Sequence, residues 1–560
     1  MTTNIFSVLN TGRVGLLSQQ TAIEVTGQNI ANVQTEGFTR QKVNFEAASP
    51  RRFGIASIGT GVRLGGIERA HDQFLFSQMV DENANLGKFE IKKSVFDQIE
   101  LLFNSNIDGA LSQRFNNLFA SLQDLSSNPN GLAERADVVA RGEMLMQEFN
   151  RIGETLFQER INTDQIIDAE VAEINTMLTE IAQLSNAIHG NEVDSRFNAN
   201  DLRDQRDKLI KDLGKKMDIN SMENAEGLTT VTLGDGTPLV LGLTALSLST
   251  SLNGNNNGFK DINTVDVNGN LTNITSKISS GKLRGLLDMR DTEITDTLDQ
   301  IDRLAAGFVQ EFNRIHEQGV GLDGSAGVAF FTTLSPVTLN NVNNTGNAKI
   351  SATNASPITN SVDKYEITIT DSNTFSLNNL TTGLASGTYT FSSGSAQNLI
   401  GGLSVTISGT AAIGDSFNLS VSEGASRLVS VNSSVKSNTQ KVAAGKELNG
   451  AGENALDLAG LQNSFVYDGA SLKSGSGTFT FEDFYNSIVT DLAVAARSSK
   501  INLSQQEGLQ VQLVNRRESA SGVSIDEEMI NLIKFQQAFS AAAKVITTVD
   551  EMLSILQNKL

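Results

Sequence analysis

Three histidines, His71, His189 and His316, are the side chains best suited to move protons near neutral pH. They stand far apart in the chain, and none belongs to an HExxH pair able to hold zinc. A lone histidine on a helix is by default a structural residue. Cysteine is absent, which excludes thiolate nucleophiles, zinc-cysteine sites and disulfide staples. The GxSxG elbow of serine hydrolases and the phosphate-cradling P-loop are missing too. Gly59, Gly61 and Gly65 imitate a dinucleotide loop. Their spacing is one residue too long for GxGxxG and no strong strand precedes them, so they read as a turn between short strands. Asp266-Val267-Asn268-Gly269 resembles the start of a calcium loop, but no glutamate stands at its twelfth position. Carboxylates are plentiful, and abundance alone singles out no acid-base pair. The sequence therefore offers no catalytic residue, no cofactor site and no metal site, and the chain is not expected to be an enzyme.

A chain of 560 residues allows three or four domains. Its net charge of -20 and pI near 4.7 argue against binding nucleic acid or an anionic membrane by bulk electrostatics. No stretch of 18 apolar residues occurs, so membrane insertion is not expected, and the N-terminus carries no signal-peptide pattern. Taken alone, those absences point to the cytosol.

With no chemistry to position, the informative elements are the two ends. Leu532, Phe535, Phe539, Ala542, Ile546, Val549, Leu553, Leu556 and Leu560 repeat in alternating steps of three and four, a coiled-coil seam. Ser524 and Glu527 form a capping-box pattern, and Asp526, Glu527 and Glu528 put negative charge on the first turn. Such a helix, about 54 Å long, gains ~20 kcal/mol from its seam against ~35 kcal/mol or more of backbone ordering. It needs a partner. The N-terminal stretch supplies one, with Leu9, Leu16, Ile23 and Ile30 seven apart and Ile5 one turn earlier. Pairing the first helix with the last buries both seams. The same estimate predicts that both ends are disordered in the free monomer and fold on assembly.

Between the ends the pattern changes several times. Residues 38–70 read as short strands, with Arg51, Arg52, Arg63 and Arg69 as a small basic patch. From about Phe74 to Met217 helical spacing returns in three seams: Leu111 to Leu125, Leu145 to Leu156, and Ile167 to Ile188. A small hairpin-rich insertion over about 226–272, with Val265 and Val267 in a strand, precedes a helix over about 279–318. Residues 328–440 are rich in Ser, Thr, Asn and Gly, with alternating apolar residues such as Tyr365, Ile367 and Ile369. They read as an outer β-sandwich-like domain. Residues 441–480 read as irregular, and another helix opens at Phe481. The expected fold is mainly α with inserted all-β modules. Residues 1–70 with 520–560 form a terminal coiled-coil core, 71–327 with 441–519 an elongated helical rod, and 328–440 the outer domain.

Residues Asn29 to Gln41, NIANVQTEGFTRQ, resemble the signature of bacterial flagellar axial proteins, the rod, hook and hook-associated family. So does the end of the chain, Ser521-Gly522-Val523 leading into Asn531 to Phe539, NLIKFQQAF, and Thr548 to Leu553. Arg40-Gln41 after the Gly-Phe-Thr turn and the form of the last helix favour the hook-associated branch. The likeness covers roughly the first 100 and last 40 residues. It implies a structural subunit at the junction between hook and filament, secreted through the flagellar type III apparatus without a cleaved signal. It further implies self-association in a ring or tube, with hook protein, a second junction protein, the filament cap protein and an export chaperone on the C-terminal helix as partners. Asn32, Gly37, Arg40 and Gln41 would join the two seams as assembly residues. A hook or distal-rod subunit of the same family and a secreted coiled-coil adhesin are the alternatives.

Overall fold

The computed structural model describes residues 2–53, 56–103, 110–192, 198–224, 226–355, 361–469, 471–473 and 476–558. Helix α1 (Thr2–Ala31) ends in a turn where Gly37 adopts φ +87°, a conformation that favours glycine. Strand β1 (Gln41–Ala47), the hairpin β2 (Arg51–Phe53) and β3 (Ala56–Ile58), and β4 (Val62–Arg69) follow, with β1 and β4 antiparallel. The turn at 59–61 lies against α1. Gly61 has φ +99°, and a Cβ there would stand 2.8 Å from Thr11, so both conformation and space call for glycine.

Helix α2 (Gln73–Glu100) starts at Asp72, whose carboxylate accepts the Leu75 N–H at 3.1 Å. It leads to α3 (Leu111–Ser127) and α4 (Leu132–Asn191). The last two seams read from the sequence lie on one helix of 60 residues, about 90 Å long. They belong to different cores. The first half, Leu145 to Leu156, packs with α3 and with Phe308, Phe312 and Phe481. The second half, Ile167 to Ile188, packs with α5 (Asn200–Lys216), α6 (Gly281–Asp288) and two small antiparallel sheets. One of these orders β5 (Ile219–Glu223), β6 (Thr229–Leu233), β7 (Pro238–Leu241) and β8 (Thr244–Ala245) in sequence. The other places β10 (Lys260–Val265) between β9 (Ser247–Leu252) and β11 (Leu271–Asn273). Val267, expected in a strand, lies beyond β10 and is exposed, because Asp266 to Asn270 fold into a turn around the Asp266 carboxylate.

A buried polar layer lies between the two cores along α4, while Ile91 of α2 touches both. Arg160 donates to the Arg290 carbonyl, and Asp164 accepts from Arg290 at 2.7 Å and from the Lys260 N–H at 3.0 Å. At the same level the helix expected over 279–318 changes its winding. Residues Met289–Glu293 form a π-helical turn between α6 and α7 (Ile294–His316).

Beyond α7 the chain enters a β module with a third core. Strands β12 (Val337–Asn340), β13 (Lys349–Asn354), β14 (Lys364–Asp371), β15 (Thr374–Asn379), β16 (Leu384–Thr390), β17 (Ala396–Asn398), β18 (Leu403–Ser408) and β19 (Ser416–Ser420) make two antiparallel sheets. Their orders are β12-β19-β14-β15-β16 and β13-β18-β17. Alternate residues of both sheets, among them Tyr365, Ile367, Phe375, Leu403 and Phe417, fill the space between them. Phe330 and Phe331 on the way out, and Val429 and Val435 on the way back, are buried in the helical core around Phe308.

The return path holds three short helices, α8 (Ala425–Leu428), α9 (Ser433–Ser437) and α10 (Glu453–Gly460). The stretch 441–480, expected to be irregular, thus contains α10, whose Ala455 and Leu458 are buried. After the small pair β20 (Tyr467–Asp468) and β21 (Ser471–Leu472), a full capping box at Thr480 and Asp483 opens α11 (Phe481–Ser521). Helix α12 (Ile525–Asn558) returns along α1.

Candidate functional site

The two terminal helices pack together antiparallel. Near one end of the pair, a Cβ built on Gly12 would stand 3.1 Å from Ile546 and 3.8 Å from the Ala542 carbonyl. Near the other, Asn29 reaches Glu528. On α12 the residues read as a seam face inward: Val549 is buried, and Leu532, Phe535, Phe539, Ala542, Ile546 and Leu553 are half-buried. Phe535 also meets Phe45 of β1, ring centres 6.2 Å apart. The side chain of Leu556, and Leu560, fall outside the described residues.

On α1 the sequence expectation needs a correction. Ile5, Leu9, Leu16, Ile23 and Ile30 are half-buried, as most of the α12 seam is, but none of them is closed off as Val549 is. The closed stripe runs beside them through Gly12, Ser18, Ala22, Val25, Thr26 and Asn29. Small residues let two helix backbones approach, and large apolar residues then flank the line of contact. Counting only bulky residues misses such a stripe.

Below the helix pair lies a clasp built from the N-terminal motif. The Arg40 guanidinium donates to Glu528 from Nε at 2.8 Å and pairs with Glu527 at 2.8 Å. Asn29 donates its amide to Glu528 at 3.0 Å and to the Gln41 carbonyl at 2.9 Å, and its own carbonyl accepts the Gln41 N–H at 3.0 Å. The Gln41 side chain donates to Asp201 at 2.9 Å, and the Arg40 N–H to the Ser521 carbonyl at 2.9 Å. Arg517 closes the turn by donating to the carbonyls of Gly37 at 3.1 Å and Phe38 at 3.0 Å. Asn32, by contrast, lies just past α1 and bonds back to its Gln28 carbonyl.

The clasp continues into α5. Asp204 accepts from the Thr39 N–H at 2.9 Å and from Arg69 at 2.6 Å. Burial pushes its carboxyl above the usual range, with Arg69 and Thr39 opposing that rise. Arg69, grouped in the sequence with a basic surface patch, is therefore a buried partner of Asp204 and Asp207. Arg63 pairs with Glu46, and Arg51 and Arg52 are exposed.

Sequence reading missed the acidic half of this clasp. Glu528 reads as one of three first-turn charges, yet it is 2% exposed and central. The capping box divides its labour: the Glu527 N–H approaches Ser524 Oγ at 3.5 Å, while the Glu527 carboxylate turns to Arg40. The available signal was the charge of Arg40 inside a motif otherwise poor in charge.

The other candidate groups stay apart. His71 is half-buried beside Asp207, His189 is exposed, and His316 is buried in the helical core. Among the described residues no group of three or more His, Asp or Glu is placed to hold a metal ion, and no helix is long and apolar enough to cross a membrane.

Comparison with known proteins bears directly on the two ends and the rod between them. Residues 96–331 match the family described as flagellar hook-associated protein FlgK helical domain. Residues 516–559 match flagellar basal body rod FlgEFG protein C-terminal, and residues 9–39 match flagella basal body rod protein. Flagellar hook-associated protein 1 of Escherichia coli is 27% identical over 556 residues, 99% of each chain. Its counterpart in Salmonella typhimurium is 28% identical over 580 residues, again 99% of each. That of Bacillus subtilis is 26% identical over 585 residues, covering 99% of this chain and 98% of the relative. The fold resembles the solved flagellar hook junction protein FlgK from Burkholderia pseudomallei, with a TM-score of 0.69 at 20% identity, over 80% of this chain and 100% of that one. From end to end, and with rod-type sequences at both termini, the chain is similar to flagellar hook-associated protein 1.

Proposed function

We propose that this chain is the structural subunit joining hook to filament in the bacterial flagellum, polymerising through its terminal helices. The observation that carries the reading is the apolar surface left over once α1 and α12 are paired. Ile530, Ile533 and Ile555 of α12 are 66%, 51% and 57% exposed, and Phe6 of α1 is 58% exposed. A free chain has no use for such a stripe, and neighbouring copies packed side by side would cover it. On this reading the pair forms a coiled-coil inner layer from residues 1–70 and 520–560. Residues 71–327 with 441–519 form the middle layer, and 328–440 face outward. Arg40, Gln41 and Gly37 set the angle at which the pair leaves the rod, and the seam residues of α1 and α12 hold the pair and its copies.

The partners that fit are hook protein on one side and a second junction protein on the other, with the filament cap protein during assembly. An export chaperone would cover the apolar face of α12 before assembly. The destination is the flagellum outside the cell, reached through the type III apparatus. The test is complementation of cells lacking this chain with Ile533→Asp combined with Ile530→Asp. The expected result is hooks without filaments and filament subunits shed into the medium. Normal filaments on those cells would refute polymerisation through this face.

A further inference from the structure

The outer β module meets the helical body differently from the way either packs within itself. Two strands of chain cross between them, and their roots are fixed. Phe331 bridges Val431, and the Thr332 N–H donates to the Ser430 carbonyl at 2.9 Å. Asp302 of α7 accepts the N–H groups of Gly424 at 2.9 Å and Ser426 at 2.8 Å, where Gly424 turns with φ +70°. Beside these roots lies a small apolar seat, Val362 against Ala306 and Ala425, with Leu334 and Leu472 alongside.

Away from that seat the interface is polar and hollow. The faces of β14 and β19 that point away from the module core carry Lys364, Glu366, Ser416 and Asn418. A cavity of about 250 Å³ separates them from Phe157, Arg160 and Thr295 of the body. Beside the seat Ser471 of the body donates to the buried Asp363 carboxylate at 3.2 Å, and polar links also cross the gap itself. Lys364 pairs with Asp299 at 2.7 Å and with Glu423 at 2.8 Å, and the Val342 N–H donates to Asn255 at 2.7 Å. All three members of the ion cluster are 22–26% exposed.

We propose that the outer β module rocks on the helical body about the Val362 and Ala306 seat, held by a salt-sensitive latch of Lys364 on Asp299. A polar joint with a cavity gives up little when it opens, because water replaces each lost contact. An apolar core cannot open so cheaply. The latch ions keep part of their solvent, so dissolved salt screens them. The motion belongs to the free chain, and its test is independent of assembly into a flagellum.

The absence of cysteine makes the measurement direct. Nitroxides placed at Asn373→Cys on the module and Glu154→Cys on the body report their separation by pulsed electron resonance. A pair within the body, Gln123→Cys with Glu154→Cys, serves as the control. The module-to-body distribution is expected to be wider than the control, and to widen further in high salt and in Lys364→Met, with the control unchanged by either. A distribution as narrow as the control overturns the proposal, and so does one unmoved by both salt and Lys364→Met.

Discussion

Asn29 and Glu528 stand 499 positions apart in the sequence and meet at 3.0 Å, the amide donating to a carboxylate closed off from solvent. Arg40 approaches the same carboxylate from the other side. Removing the Glu528 carboxylate from this group of three strands the other two. Glu528→Ala is therefore expected to destabilise the terminal unit by about 3 kcal/mol, and Arg40→Lys by less, because one donor survives. Amide exchange at residues 22–30 and 525–532, followed in the assembled form, reads the loss directly. Unchanged protection in Glu528→Ala would show that the clasp contributes little.

Two glycines of α1 separate close packing from helix propensity. Gly12 faces Ile546 and Ala542, whereas nothing lies within 4 Å of a Cβ on Gly27. Gly27→Ala should stabilise α1 by about 1 kcal/mol. Gly12→Leu should push the helices apart and abolish assembly while leaving the rod intact. Circular dichroism and sedimentation of the two variants distinguish the effects.

His316 donates from Nδ1 to the Val328 carbonyl at 2.7 Å and accepts the Ala443 N–H on Nε2 at 2.9 Å, an arrangement open only to the neutral ring. Burial lowers its pKa to about 4. In the unfolded chain the ring takes a proton near pH 6.5. The fold does not, so stability present above pH 6.5 is lost as the pH falls toward 4, by roughly 3 kcal/mol in all. Denaturant titrations at stepped pH should show the loss, and His316→Asn should flatten it.

Asp302 has the opposite sign. Burial lifts its carboxyl to about 7 although Ser426 and the Gly424 N–H donate to it. The fold therefore holds a proton that the unfolded chain has already released, and this contribution is lost as the pH rises from about 4 to 7. Asp302→Asn should become more stable relative to wild type as the pH rises through that range. Since the two groups oppose each other between about pH 4 and 6.5, the native curve should look flatter there than either single variant.

The terminal helices bury only a thin stripe against each other. In the isolated chain, amides from Ile5 to Ile30 and from Leu532 to Leu553 are expected to exchange fast, with protection appearing on assembly. Strong protection in the monomer would contradict folding on assembly.

Much of the fold was legible in the spacing of apolar residues. Leu111, Phe115, Leu118, Leu122 and Leu125 are all buried, and the alternation at Tyr365, Ile367 and Ile369 marks a strand of the β module. The unity of α4 was hidden, because the residues that carry it through its middle are Arg160, Thr163 and Asp164, buried polar groups that interrupt an apolar repeat. Their partners, Arg290 and Lys260, come from elements that a helical period does not connect. The pairing of the terminal helices was legible only in part for the same kind of reason. The seam on α12 is made of large side chains and announces itself, while that on α1 is made of Gly12, Ser18, Ala22 and Thr26. The clasp depends on Glu528, whose role appears only when chain ends meet.

The charged stratum of Arg160, Asp164 and Arg290 also parts two greasy interiors that share a single long helix. Melting of one interior need not drag the other along, since the apolar contact across the boundary is thin, with half-buried Ile91 of α2 touching both sides. Pulled or heated, the molecule should yield in steps, the spine fraying on one side of that layer while the far side still holds.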